Sequence, residues 1–398
     1  VPLLKKNENP KKRELGLAPM EGVTCLATRL WFSLTSQPDF AMTPFLRVTR
    51  DYPWKRVPST YAAEIFDLKG LTSYRLIPQL MGTSPSDLER IATPLLKNSN
   101  FVDINCGCPS PKVVGSHAGS GLLEKLEVFE EFLTGIQEKL GESRYSIKMR
   151  SGFHTNDEFP KLLNLVAKMK MSQLTLHART RQERYTSFSK WNLIDMASQT
   201  CGFPVVGSGD IVDSQSLENT MGQAPMVEKI IVGRGALRNP WIFQELRTNE
   251  IVQLTSRTLV LSLACYAVLQ DILANNPSLL LQLVEKGLFE KTCGTDENLW
   301  EQLYHKLTVL YYGHYIETKS LVVERPSFAR VKMIWNSLRS SLNSGFMDPF
   351  LLRVNCFPDF EKGIVSKVQE SNELLSLKYS SQYDWIYSGA KNNGNEQN

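Results

Sequence analysis

A rhythm of short apolar or β-branched runs, each closed by a polar or glycine-marked turn, limits this chain more than any other feature. The runs begin at Leu15, Phe40, Leu76, Phe101, Tyr145, Gln173, Pro204 and Lys229, separated by 25, 36, 25, 44, 28, 31 and 25 residues. Gaps of that size hold one strand, one helix and two loops, so the pattern is a βα unit repeated eight times. The intervening segments carry a helical period. Leu123, Leu126, Phe129, Phe132, Leu133, Ile136 and Leu140, for example, share one face of 122–140. Eight parallel strands over roughly 220 residues predict an α/β fold, a (β/α)8 TIM barrel, whose usual size is ~250 residues. A doubly wound open sheet is the alternative. It would more often carry G-x-G-x-x-G after the first strand, and that motif is missing here.

After about residue 245 the strand signals stop. Helix-like runs follow at 259–273, 279–289, 299–321 and 326–342. The chain therefore reads as a basic N-terminal arm (1–13), a barrel (14–245), a smaller all-helical domain (246–342) and a C-terminal extension (343–398). The extension is expected to be helical over 359–377 and loose from Lys391 onward.

Composition narrows the function classes. Lys and Arg total 45 against 41 Asp and Glu, a formal charge of +4, which permits a nucleic-acid partner without demanding one. Hydrophobic residues at 42% and charged ones at 22% exclude a wholly disordered chain, a collagen and a coiled-coil rod. No run approaches ~18 uncharged apolar residues, so no membrane span is expected. Seven scattered cysteines, an odd count, give neither a paired disulfide framework nor a CxxC zinc pattern. The N-terminus has no apolar core of a signal peptide, and a cytoplasmic monomer is the expectation.

In such a barrel the reactive groups lie at the carboxyl ends of the strands and in the loops just after them. Gln79, Asn105, Lys148 and His177 are expected there, with Ser208, Gly209 and Asp210 after the seventh strand and Gly233 and Arg234 after the eighth. An amide, a lysine and a histidine at one mouth could hold a planar, electron-accepting heterocycle by its polar edge. Glycine turns after the last two strands offer N–H groups to a phosphate. Together they suggest a phosphorylated cofactor, with flavin mononucleotide (FMN) the natural candidate. Taken singly, Gln79 or Lys148 could equally serve a barrel-mouth hydrogen bond, and His177 a structural one. Their joint placement carries the reading.

The loop Asn105-Cys106-Gly107-Cys108-Pro109-Ser110-Pro111-Lys112-Val113 is the most informative stretch. Two prolines stiffen it and Gly107 permits a tight turn. A thiol with an unperturbed pKa near ~8.5 is mostly protonated at neutral pH and can act as a general acid. Cys106, Cys108 and His117 lack a fourth ligand for zinc, so no metal is expected.

These residues carry a resemblance. Leu17-Ala18-Pro19-Met20-Glu21-Gly22-Val23-Thr24, Asn105-Cys106-Gly107-Cys108-Pro109-Ser110, His177-Ala178-Arg179-Thr180-Arg181 and Gly233-Arg234-Gly235-Ala236-Leu237 look like the tRNA-dihydrouridine synthases, in that family's order. Ala329-Arg330-Val331-Lys332-Met333-Ile334-Trp335 extends the match into the helices. Glu21, the CGCPS wording and Thr43-Pro44-Phe45-Leu46-Arg47-Val48 are most similar to the bacterial subgroup that modifies position 16 of tRNA. The resemblance implies an FMN enzyme that reduces the C5–C6 double bond of a tRNA uridine at the expense of NADPH. Hydride would pass from flavin N5 to C6, and Cys108 would protonate C5. Pro19 and Met20 would underlie the flavin beside Glu21, and Gln79, Lys148 and His177 would bind its polar edge. Ser208, where the family usually has Asn, would line the phosphate and ribityl side with Gly209, Asp210, Gly233 and Arg234. Asn105, Arg179 and Tyr185 would contact the extruded uridine or its neighbours. Residues 287–300 and 343–398 have no clear counterpart in the compact bacterial pattern.

The helices support an RNA partner separately. Arg325, Lys332 and Arg339 recur every seven residues and share one face of a helix opened by Pro326. With Arg330 they are expected to grip tRNA phosphates. An FMN barrel acting on a free pyrimidine, and an RNA-binding relative without catalysis, are the alternative readings.

Overall fold

Each of the eight runs forms a parallel strand within one residue of its expected start. The computed structural model describes residues 13–55, 57, 74–285, 287–289, 291–342, 344–347, 349–371 and 374–383. The arm before Arg13 and the loose end from Lys391 lie outside the described residues. The first run is β1 (Glu14–Leu17); the second is split into β2 (Phe40–Met42) and β3 (Leu46–Arg47), and the third into β4 (Arg75–Ile77) and β5 (Gln79–Met81). Then come β6 (Val102–Cys106), β7 (Tyr145–Gly152), β8 (Leu174–Thr180), β9 (Val205–Ser208) and β10 (Lys229–Val232).

Proline explains both splits. Pro44 and Pro78 have no N–H to give the ladder. Thr43 bridges the gap: its N–H donates to Ile77 O at 3.0 Å and its hydroxyl accepts from Gln79 N at 2.9 Å. β2 pairs with β4 and β3 with β5, while β1 pairs with both β2 and β10, in register from Glu14↔Lys229 to Leu17↔Val232. β5 through β10 pair in sequence. Because β2 and β3 are one run of chain and β4 and β5 another, the hydrogen-bonding circuit closes on itself as an eight-stranded barrel. Inside it Ala18, Phe40, Met42, Ile77, Val206 and Ile231 form a cluster of their own, an apolar floor beneath the mouth.

The helices after each strand bury their apolar faces on the outside of the barrel: α1 (Leu26–Ser36), α2 (Pro85–Leu95), α3 (Leu126–Leu140), α4 (Phe159–Val166), α5 (Trp191–Thr200) and α6 (Ser214–Gln223). Local chemistry starts them: the Ser84 hydroxyl accepts from Asp87 N before Pro85, and Asp213 and Ser216 form a capping box. α7 (Arg234–Arg238) and α8 (Ile242–Thr248) close the eighth unit.

Beyond them, α9 (Ser256–Asn275), α10 (Ser278–Glu285), α11 (Glu297–Tyr312), α12 (Arg325–Leu338) and α13 (Phe357–Ser371) build a second core. α9 is long and apolar enough to cross a membrane by composition alone, yet 78% of its most apolar window is buried inside the protein. It packs against α1, α11, α12 and α13. α1 is covered on both flanks, since Phe32 joins the barrel core while Ala27, Leu30, Trp31 and Leu34 join the helical one.

Three expectations need correction. The helix over 299–321 stops at Tyr312, because Gly313 turns left-handed (φ +84°) and its N–H caps Val309 O. The helix over 359–377 ends at Ser371. The region after 245 is not all-helical: β11 (Gln253–Leu254) and β12 (Leu375–Ser376) pair antiparallel, which buries Leu254 and Leu375 in the second core.

Candidate active site

At the carboxyl ends of the strands lies a cavity of about 550 Å³, within the range of a cofactor site. It brings together Pro19, Met20, Lys148, His177, Arg179, Tyr185, Ser208, Gly209, Asp210, Gly233 and Arg234, all read from the sequence as site residues. The βα architecture explains the convergence. Pro19, Met20, Ser208, Gly209, Asp210, Gly233 and Arg234 end a strand or follow one directly, whereas Lys148 lies within β7 and His177 and Arg179 within β8, strands that run on to Gly152 and Thr180, and Tyr185 comes from the loop beyond β8.

The mouth is densely cationic. Burial, then the nearby Arg150 charge, lowers the Lys148 pKa to about 8. Among the described residues its ammonium has no hydrogen-bond partner, although it faces the cavity. His177 is held well below the usual histidine range by burial and by the surrounding charges of Arg150, Lys148, Arg179 and Arg234. The ring is therefore neutral. Arg179 Nη1 lies 2.8 Å from His177 Nε2, and a guanidinium can only donate, so Nε2 accepts and Nδ1 carries the proton. Arg179 is spent on structure: Nη2 pairs with Asp210 Oδ1 at 2.5 Å and Nε donates to Ser187 O at 2.7 Å. Asp210 in turn accepts from Ser189 N at 2.6 Å. The Tyr185 ring gathers the guanidiniums of Arg150, Arg179 and Arg234 at 5.6, 5.9 and 4.2 Å. Tyr185 is 41% exposed and Phe188 85% exposed, so two aromatic rings stand at the rim.

Gly209 takes φ +127°, and a Cβ there would meet the Ser189 side chain at 2.6 Å. Beneath it, Trp191 Nε1 donates to Gly209 O at 3.1 Å while its ring lies where a Cβ on Gly207 would fall, at 2.4 Å. Gly207→Ala is thus expected to cost about 1–3 kcal/mol of stability by overpacking. Urea unfolding of the variant against wild type measures it, and an unchanged midpoint would contradict this account of Trp191.

Glu21, Gln79, Asn105 and Cys108 do not line the cavity. Gln79 does not end the third strand, which runs on to Met81, and it is fully buried. Its amide belongs to a relay. Ser146 Oγ donates to Asp103 Oδ1 (2.6 Å), Gln79 Nε2 to Asp103 Oδ2 (2.8 Å), and Asn105 Nδ2 to Gln79 Oε1 (3.0 Å). Asn105 Oδ1 then accepts the N–H groups of Gly107 (3.1 Å) and Cys108 (2.9 Å). From the other side Arg150 Nε donates to Gly107 O (2.9 Å) and Ser120 Oγ to Cys108 O (2.8 Å). The Cys108 loop is clamped through its backbone, and the thiol itself meets the backbone N–H of Ser110. Burial pushes the Cys108 pKa up, helped by the Glu21 carboxylate and opposed by the Ser110 backbone hydrogen bond and the charges of Lys148 and Arg150.

The basic stripe on α12 is not a free face. A heptad spacing does put Arg325, Lys332 and Arg339 on one side, but the carbonyls of Met347 and Val354 engage two of the three. Arg339 is buried, donating to Met347 O at 2.6 Å, and Lys332 Nζ donates to Val354 O at 3.2 Å. Arg330 Nη1 reaches Gly22 O, tying α12 to the loop that carries Met20 and Glu21. Of Arg325, Arg330 and Lys332, Arg325 is the exposed one and the other two are half-buried.

Sequence reasoning missed Arg150, Asp103, Phe188, Arg238 and Tyr379. Period-2 alternation could have found the first two, at i+2 from Lys148 and i−2 from Asn105. Among the described residues no three His, Cys, Asp or Glu side chains gather to hold a metal ion.

Comparison with known proteins agrees with these motifs. A tRNA-dihydrouridine(47) synthase [NAD(P)(+)] of Coprinopsis cinerea is 32% identical over 185 residues, 42% of this chain but 27% of that longer protein. The tRNA-dihydrouridine(16) synthase of Pasteurella multocida is 28% identical over 62% of this chain and 80% of its own length. That of Escherichia coli K12 is 29% identical over 59% and 75%. Morphinone reductase in complex with tetrahydroNAD superposes with a TM-score of 0.42 at 10% identity over 59% of this chain and 86% of that one, too slight a likeness to carry an argument. The family model for dihydrouridine synthase (Dus) matches residues 16–295, and the chain belongs to that family.

Proposed function

We propose that the chain reduces the C5–C6 double bond of a uridine in tRNA, with FMN as bound cofactor and NADPH as reductant. One observation carries the reading: a thiol kept protonated by burial sits in a backbone-clamped loop beside Lys148, at the edge of a cavity walled by donors. The donor set fits a flavin phosphate. The Lys148 ammonium and the Nδ1–H of His177 suit the carbonyl edge of an isoalloxazine, and Arg234 with the turns at Gly209 and Gly233 suits a phosphomonoester. Pro19 and Met20 offer an apolar surface to the ring. When bound, the flavin would supply the hydride.

The protein's own part is proton delivery and positioning. Cys108 Sγ carries the proton destined for C5. Asp103, Gln79 and Asn105 fix the loop that presents it, while Arg179 and Asp210 set the orientation of His177. A uridine must leave its stack to lie on a ring inside a barrel mouth. Tyr185 and Phe188 at the rim offer stacking surfaces for it or its neighbours. The barrel (14–245) would hold the cofactor and the helical region (246–342), through Arg325, would meet the tRNA backbone. Dihydrouridine mapped position by position in tRNA from cells lacking the protein should show loss at one site, restored by the wild-type gene. Unchanged dihydrouridine at every position would overturn the proposal.

A further inference from the structure

The cavity wall contains one residue from far outside the barrel and outside the span matched to the family, Tyr379. Its segment is fixed immediately upstream. β12 pairs with β11, Leu377 N donates to Val252 O at 3.0 Å, and Lys378 N donates to Ser341 O at 2.8 Å. Leu375 and Leu377 are buried in the second core at 3% and 2% exposure. Tyr379, directly after Lys378, lays its ring 4.9 Å from the guanidinium carbon of Arg238. Arg238 is 3% exposed, ends α7, and also lines the cavity. Gly233 and Arg234 lie at the other end of that same short helix. Arg238 is four residues from Arg234 and therefore on the same face of that helix, and a buried guanidinium with a tyrosine ring on it lines the same cavity as the Gly233–Arg234 turn.

We propose that Arg238 and Tyr379 form a phosphate-end element of the cofactor site, Arg238 supplying positive charge and Tyr379 covering it from water. The inference rests on the FMN reading and goes beyond it. A segment 374–383, anchored on the helical core, then contributes to holding the phosphomonoester. Excluding water around the guanidinium strengthens its attraction for a dianion. The ring also holds the side chain in place, so less rotational freedom is lost on binding.

Riboflavin, which lacks the phosphate, separates this role from general support of the fold. FMN and riboflavin affinities are measured by flavin fluorescence quenching for wild type, Tyr379→Ala and Tyr379→Phe. The expected result is about a tenfold loss of FMN affinity in Tyr379→Ala, with riboflavin affinity unchanged. Tyr379→Phe should bind FMN nearly as well as wild type because the ring remains. Wild-type FMN affinity in Tyr379→Ala, or equal losses for both flavins, would overturn the proposal while leaving the FMN reading intact. If wild type binds neither flavin, both fall.

Discussion

Cys108→Ala should retain flavin and slow uridine reduction by about 10²–10⁴-fold, the range that a positioned general acid contributes. The separation of binding from turnover follows from geometry. Cys108 does not line the cavity, and the loop's hold on the barrel runs through the backbone groups of Gly107 and Cys108, which alanine keeps. What alanine removes is the Sγ proton. Burial, helped by the Glu21 carboxylate, raises the thiol's pKa, so the acid form dominates at neutral pH. The rate should therefore hold steady through neutrality and fall only as pH passes above that raised value. Single-turnover reduction of tRNA by prereduced protein measures the step without flavin reoxidation intruding. A rate within threefold of wild type would remove Cys108 from the chemistry.

Much of this site was legible because a βα barrel makes position along the chain equivalent to position in space. Once 205–208 and 229–232 are strands, Ser208 and Gly233 must stand at their carboxyl ends; Lys148 and His177 also face the mouth, though their strands run on to Gly152 and Thr180. The loop at 105–113 announced itself through its prolines and glycine, whose backbone preferences are local. The relay behind it was not legible. That Gln79 turns its amide to Asp103 and Asn105 depends on adjacent barrel strands aligning in a particular register. The α12 stripe failed for a related reason. A seven-residue spacing identifies a face but not what lies on it, and here the carbonyls of Val354 and Met347 take Lys332 and Arg339. β11 and β12 are two residues each and some 120 apart, too short for periodicity to register. Tyr379 reaches the cavity only because that ladder aims its segment.

Lys148→Met should make the cofactor-free protein more stable at pH 7 and weaken FMN binding by about 10–100-fold. The two effects share one cause. Burial, reinforced by the Arg150 charge, takes the Lys148 pKa from 10.5 down to about 8, so carrying the charge at pH 7 opposes folding. Between pH 8 and 10.5 the unfolded chain binds more protons at this residue than the folded one. Stability contributed by this group must then rise with pH across that window. Methionine has similar length and no charge to desolvate, so the variant's advantage should be full below pH 8 and fade by about pH 10.5. Thermal unfolding at a series of pH values reads this directly. The ammonium also lacks a hydrogen-bond partner among the described residues while facing the cavity. An anionic or carbonyl acceptor on the cofactor would complete it, and a charge-assisted bond of that kind is worth about 1.5–3 kcal/mol. Losing it gives the expected drop in affinity. A variant less stable than wild type at pH 7, with FMN affinity unchanged, would mean that the ammonium already has its partner within the fold and is not held in reserve for the flavin.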